Sequence, residues 1–450
     1  MANKIKVDSA GAGVGKSYQI RKQIKENLLK GIKSIVVVPS HKLQHEYVQT
    51  LAVSPAVISS EEDPIHPELA RTTVGVQLEQ AFFRDEAVII MSHDAFLNRT
   101  VIQPHHRVNR QLIIDEAFKP VSLQQLDLVD SAGRQYFKFD NVFSWTDPEV
   151  YTLTKKPHGK IQPWFRLDVV KSTPPKWLRN TKEWRAISNP NARLWATWQT
   201  GQSLMVDYKD TATLIVEVNP CVFDHWQSVW IAAAAFEKTL MCAWMQSSQI
   251  EYTTYRQFKP HRAPLHLYTS DQEFNLSLGA KTHNSIWDEL INDCVRTHAT
   301  GPALFVDNKN FNGLVDQHFT SEKLSHNAHG INDKCHYHEF AWMSAIRPND
   351  YLSSFLLGQY GLSGRSLMMS WSGYDCYQLL MRSALRDPLN KDPVRVYLMD
   401  TGLVYEILDL FDSRSYETYP IIEVSKHVAP KKIAMTSTER SRNKRAKAKI

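Results

Sequence analysis

Ile5-Lys6-Val7-Asp8-Ser9-Ala10-Gly11-Ala12-Gly13-Val14-Gly15-Lys16-Ser17 reads as a β-type run that passes straight into a phosphate-binding loop. Ala10 to Ser17 fit the Walker A pattern, with Ala10 where the commonest version has its first glycine. In such a loop the small residues Gly11, Ala12, Gly13, Val14 and Gly15 let backbone N–H groups wrap a β-phosphate. Lys16 neutralises the β- and γ-oxygens, and the Ser17 hydroxyl ligates Mg²⁺. The pattern is short enough to arise by chance, so its setting decides. A strand-type run precedes it, and residues 17–30, rich in helix formers and free of proline, follow it. The alternative, an unliganded glycine-rich turn, does not require that setting.

Moving outward, residues 34–39 (SIVVVP), 87–91 (AVIIM) and 111–114 (QLII) are apolar strand patterns separated by helical spacers. That rhythm predicts a parallel sheet covered on both faces, a RecA-like core. The QLII strand runs into Asp115-Glu116-Ala117-Phe118, where a Walker B carboxylate emerges at the carboxyl end of a strand. Asp115 is expected to hold Mg²⁺ through water, and Glu116 to orient and deprotonate an attacking water.

Residues 119–218 break the rhythm. They carry six of the twelve tryptophans (Trp145, Trp164, Trp177, Trp184, Trp195, Trp198) and fourteen Lys/Arg against ten Asp/Glu. Basic and aromatic residues interleave at Lys155-Lys156, Lys160, Trp164-Phe165-Arg166 and Lys176-Trp177-Leu178-Arg179, which suits base stacking beside phosphate contacts. The other reading is that these tryptophans are the core of a small mixed or β-rich subdomain. Strand patterns return at 229–236 (VWIAAAAF), 265–268, 303–306, 340–345 and 394–399, without a second phosphate loop. The expected architecture is α/β: two RecA-like parallel-sheet lobes with an inserted Trp-rich subdomain and a disordered basic C-terminal tail. Residues 1–118 and 219–250 form the ATP-binding lobe, 119–218 the insertion, 251–420 the second lobe and 421–450 the tail.

Composition sets outer bounds. The chain has 450 residues, 43% of them hydrophobic, and no run of eighteen apolar residues, so neither membrane insertion nor export is predicted and a cytoplasmic setting is expected. Five cysteines without a CxxC pair fit reduced thiols. Cys335-His336-Tyr337-His338 has adjacent ligand types that do not match zinc spacings. The formal charge is +6, yet residues 431–450 hold eight Lys/Arg against one Glu, a local +7 that leaves −1 for the rest. Such a tail is read either as a polyanion-seeking segment or as a solubilising terminus.

With both Walker motifs placed, the chain resembles the superfamily-two helicases, the DEAD/DEAH-like group of nucleic-acid-dependent ATPases. Asp115-Glu116-Ala117-Phe118 looks like their DEAD/DEAH box, with Phe118 replacing the usual His or Asp. Pro39-Ser40-His41-Lys42-Leu43 and Met91-Ser92-His93-Asp94-Ala95 stand where that family has strand-contacting loops. Ala232 to Ala235 stand where its Ser-Ala-Thr coupling motif is, without the hydroxyls. Phe305-Val306-Asp307-Asn308-Lys309 is similar to the motif opening the second lobe. Ser325 to Asn332 looks like the RGxD/RGxN-type loop, with His329 in the Arg place before Gly330. Gln378 to Arg386 resembles QxxGRxxR, with Met381 in the Gly place and the last Arg one place late. At i, i+4 and i+8 on a helix, Gln378, Arg382 and Arg386 are predicted to share one face.

The resemblance covers about residues 1–118 and 219–412 and implies an ATP-dependent helicase or translocase using ATP and Mg²⁺. Lys16, Asp115, Glu116, Gln378, Arg382 and Arg386 are then catalytic. Ser40, His41, Ser92, His93, Lys309, His329 and Gly330 are implied nucleic-acid contacts. Single-stranded or forked DNA is expected ahead of RNA, with replication or recombination proteins as partners. Only nine residues precede Ala10, which leaves no room for the glutamine motif of RNA-dedicated DEAD-box proteins. A phage or mobile-element origin is a reading by style. Alternatives are a duplex translocase or remodeller, and a nucleic-acid-binding adaptor that uses ATP as a conformational latch.

Overall fold

The computed structural model describes residues 5–13, 15–51, 53–59, 73–127, 143–145, 164–169, 182–189, 191–197, 211–257, 263–269, 293–308, 321–326, 333–344, 346–387, 389–398, 401–411 and 416–420. Val14, Lys309, His329, Gly330 and the tail 421–450 lie outside these residues. The strands are, in chain order, β1 (Ile5–Ala10), β2 (Lys33–Val38), β3 (Ala56–Ile58), β4 (Val88–Ser92), β5 (Arg110–Asp115), β6 (Val121–Asp127), β7 (Phe143–Trp145), β8 (Trp164–Val169) and β9 (Ala192–Thr197). They continue with β10 (Thr211–Val218), β11 (Ser228–Ala234), β12 (Tyr252–Gln257), β13 (Leu265–Thr269), β14 (Ala303–Val306), β15 (Glu322–Leu324), β16 (Glu339–Trp342), β17 (Val394–Leu398) and β18 (Tyr416–Pro420).

The first sheet has the order β12-β1-β11-β5-β2-β4-β3 and every pairing in it is parallel. Its strands read as unbroken apolar runs because helices cover both faces; Ile35 to Val38 and Ile89 to Met91 are fully buried. The order puts β11 between β1 and β5, so the end of β11 lies between the phosphate loop and the acidic pair. Ala235 N–H donates to Ala10 O at 3.1 Å, and Glu116 N–H donates to Ala232 O at 2.9 Å. The second sheet, β15-β14-β16-β17-β13-β18, is also parallel throughout. Two parallel sheets of this kind are the two RecA-like lobes. The strand β12 corrects the lobe boundary at 250: it pairs with β1 in parallel, so the first lobe runs to at least residue 257.

Between β5 and β11 stands a third sheet, β6-β10-β9-β8-β7, antiparallel, with the helix Lys182–Ile187. It packs on the second lobe as well as the first. Val121, Trp164 and Ile215 share a core with Leu352, Phe355 and Leu356 of the helix Asp350–Gln359. Trp164 meets Phe355 edge-on at 5.3 Å and Trp195 lies 5.7 Å from it. Buried Glu217 accepts from Trp195 Nε1 and from the Tyr360 hydroxyl, both at 2.9 Å. For these residues the stacking reading is corrected: Trp164 and Trp184 are buried, and Trp195 is tied to Glu217. For Trp164 and Trp195, packing on Phe355 of the second lobe takes the rings that base stacking would need exposed. The side chains of Trp145, Trp177 and Trp198 are outside the described residues.

Phe355 is fully buried at this junction. Phe355→Ala is expected to destabilise the protein by about 3 kcal/mol or more, through lost transfer energy and a residual cavity beneath two tryptophans. A fall in the urea midpoint is the readout. Among the described residues no helix is long and apolar enough to cross a membrane.

Candidate active site

The glycine-rich loop leaves β1 and enters the helix Lys16–Leu29 through two left-handed glycines, Gly13 (φ 80) and Gly15 (φ 88). Only glycine takes this region at little cost, and turns of this kind are the ones in which successive backbone N–H groups can face an anion. A Cβ at Gly13 would come within 3.2 Å of Arg386 Cγ, so the loop also lacks a side chain where the second lobe approaches. Ser17 Oγ donates to Asp115 Oδ2 at 3.0 Å, and Lys16 Nζ lies 3.5 Å from both Gly11 O and Glu116 Oε1. The tips of β1 and β5 therefore bring Lys16, Ser17, Asp115 and Glu116 together across 98 residues of sequence.

Asp115 is almost completely buried and also accepts from the Tyr47 hydroxyl at 2.8 Å. Burial first, then the Glu116 charge beside it, pushes its carboxyl up to about 6, against the pull of Tyr47, Lys16 and Ser17. A buried carboxylate held at cost beside a serine hydroxyl is the donor set a small divalent cation takes. In the unfolded chain Asp115 would titrate near about 3.9. The folded state thus binds the proton more tightly, and stability is lost as pH rises from about 4 to about 6. A bound cation needs the charged carboxylate, so its stabilisation appears above about 6 and fades below it. Thermal melts from about pH 5 to about pH 8, with and without Mg²⁺ and nucleotide, are expected to show that gap closing on the acid side.

Glu116 sits at φ 72, a region non-glycine residues occupy at a cost of order 1–3 kcal/mol. Its side chain is fixed from the second lobe. Tyr374 donates to Oε2 at 2.7 Å and Gln378 Nε2 donates to the same oxygen at 2.9 Å. Both come from the helix Tyr374–Leu380. Arg382 and Arg386 also line the cleft, but the expected single helical face is corrected. The helix ends at Leu380, Arg382 lies in the turn that follows, and Arg386 closes a short 3₁₀ turn, Ala384–Arg386. Ser383 makes the break: its backbone is extended, and its hydroxyl donates to Leu380 O and accepts from Leu385 N–H. Burial and then the neighbouring Arg382 charge lower the pKa of Arg386. Two guanidiniums converging on a phosphate loop favour an anion between them.

Of the expected strand contacts, Ser40 and His41 follow β2 and His93 follows β4, at the same end of the sheet as the phosphate loop. Ser40 caps the helix His41–Thr50, accepting from Leu43 N–H, and His41 Nδ1 lies 2.7 Å from Gln44 Oε1. The His93 ring meets Phe118 edge-on. Ser92 is buried, with its hydroxyl accepting from Ala95 N–H. Tyr47, Tyr374 and Tyr377 were not expected. Tyr374 and Tyr377 stand four and one places before Gln378, a spacing that could have pointed to the cleft-facing side of that helix.

No protein-family model and no curated protein matches the sequence. Several solved structures are similar to the chain at low identity. S. tokodaii Xpd4 has TM-score 0.49 at 9% identity, covering 93% of this chain and 96% of its own. An XPD helicase has TM-score 0.46 at 12% identity, covering 93% and 96%. S. cerevisiae Dbp5 bound to RNA and ADP BeF3 has TM-score 0.41 at 9% identity, covering 93% and 86%.

Proposed function

We propose that the chain is an ATP-dependent helicase or translocase acting on nucleic acid, with DNA ahead of RNA. The observation that carries this is a composite site: Gln378 and Tyr374 of one lobe bond to Glu116 of the other, beside Lys16, Ser17 and Asp115. A site divided between two lobes makes hydrolysis depend on their closure.

In this reading Gly11 to Gly15 wrap the phosphates, Lys16 neutralises them, and Ser17 and Asp115 hold Mg²⁺. Bound Mg²⁺ would supply charge neutralisation at the transferring phosphoryl group. Glu116 orients a water and takes its proton, Gln378 senses the γ-phosphate, and Arg382 or Arg386 meets transition-state charge. Opening and closing would move Ser40, His41 and His93 of the first lobe against the second, which is how a strand would be stepped. A duplex translocase would use the same cycle without separating strands; strand-displacement and triplex-displacement assays divide the two.

The adaptor reading is favoured by one observation, the hydroxyl-free run Ala232 to Ala235 at the centre of the first lobe. ATP turnover measured with single-stranded DNA, duplex DNA and RNA in parallel is the test. Strong stimulation by single-stranded DNA is expected. Greater stimulation by RNA reverses the strand preference, equal stimulation removes it, and no stimulation by any strand leaves the adaptor.

A further inference from the structure

The helix Tyr374–Leu380 belongs to the second lobe, yet the face formed by Tyr374, Tyr377 and Gln378 is spent on the first. The Tyr377 hydroxyl accepts from the backbone N–H of Ala12 at 3.2 Å. Tyr374 donates to Glu116 Oε2 at 2.7 Å, and Gln378 Nε2 donates to that oxygen and, at 3.1 Å, to the Tyr374 hydroxyl oxygen. Next to them, Asp375 accepts from Lys119 Nζ at 2.8 Å, while the same ammonium donates to Trp371 O at 3.0 Å. The segment from Glu116 to Lys119 is therefore clasped at both ends by one helix of the other lobe.

Glu116 depends on such support. Its left-handed backbone is held by Ala232 O, and the adjacent Ala232 to Ala235 run has no hydroxyl to steer the carboxylate. Tyr374 is buried, and burial together with the Glu116 charge raises its pKa well above the ordinary tyrosine value, so its hydroxyl stays a donor. With Oε2 occupied by Tyr374 and Gln378, Oε1 is the oxygen turned to Lys16 and the cleft. That division of labour within one carboxylate fixes which lone pairs are offered to a reacting water.

We infer that Tyr374 is a positioning residue through which the second lobe sets Glu116, so that the acid is aligned for hydrolysis only while the lobes are apposed. The inference rests on the ATPase reading above. Tyr374 acts through Glu116 and touches none of the reacting atoms.

Tyr374→Phe keeps the ring and removes the hydroxyl. Loss of a hydrogen bond to a charged group is expected to lower kcat by about tenfold or more. The KM for ATP and the affinity for a fluorescent ATP analogue are expected to stay within about twofold, because the phosphate contacts are untouched. In a Glu116→Gln background the residual single-turnover rate is expected to show no further loss, since the two residues act as one unit. Amide hydrogen exchange at residues 116–119, measured without nucleotide, is expected to accelerate. An unchanged kcat, or an equal loss in the Glu116→Gln background, overturns the inference. A wild-type chain that hydrolyses no ATP overturns the ATPase reading instead. Hydrogen exchange then decides Tyr374 by itself, and an unaltered rate at Glu116 counts against it.

Discussion

Lys16→Ala is expected to lower ATP turnover by about 10³-fold or more, to background in a steady-state assay. Phosphoryl transfer leaves the protein little covalent chemistry, so the rate depends on positioning and on charge placed where charge develops. Lys16 is largely buried at the mouth of the cleft, 3.5 Å from Glu116 Oε1 and from Gly11 O. In a low-dielectric site its ammonium is worth far more than a surface charge. Its removal also takes one cation away from the side of Glu116. Folding is expected to survive, because the side chain belongs to none of the apolar cores and the left-handed glycines shape the loop without it. Turnover in the presence of single-stranded DNA, alongside a melting curve, checks both halves. Wild-type turnover by a well-folded Lys16→Ala protein sinks the proposed function.

How much of this was legible in the sequence depends on the kind of signal. The strands β2, β4, β5 and β14 are buried on both faces, so their patterns are continuous β-branched runs that need no knowledge of neighbours. The glycine-rich loop and the Asp115-Glu116 pair are equally local signals, and the structure brings them together through Ser17 and Asp115. In the strand β12 Thr253, Thr254 and Tyr255 are exposed, and only its partner β1 makes it part of the first lobe. The stripe from Gln378 to Arg386 failed for another reason. Periodicity assumes a continuous helix, and one serine at 383, bonding backward to Leu380 O, ends it. The tyrosines around the acidic pair were invisible because their partners are remote: Tyr47 is 68 residues from Asp115 and Tyr374 is 258 from Glu116. Composition could not separate core tryptophans from stacking ones either, since burial of Trp164 is decided by Phe355 in another lobe.

The acidic pair makes the second large prediction. Glu116→Gln keeps the size of the side chain and leaves Asp115 and Ser17 in place, but an amide cannot take a proton from water. Losing a general base typically costs about 10²- to 10⁴-fold, and turnover is expected to fall within that range. Nucleotide affinity is expected to hold, because Lys16, Ser17 and the loop N–H groups remain. The amide oxygen can still accept from Tyr374 and Gln378, which presently share Glu116 Oε2, so the contact between the lobes persists. Removing the Glu116 charge also removes the second cause of the raised Asp115 pKa. The pH below which Mg²⁺ and nucleotide lose their grip is expected to move down accordingly. A chain that binds ATP and cannot release its energy should accumulate with the lobes together, and its hold on a strand should then differ from that of the nucleotide-free protein. Anisotropy of a labelled single strand, titrated with Glu116→Gln protein with and without ATP and Mg²⁺, measures that difference. Equal affinities in the two states would mean that the cleft closes without reporting to the nucleic acid, and ATP would then serve this protein as something other than the motor of strand movement.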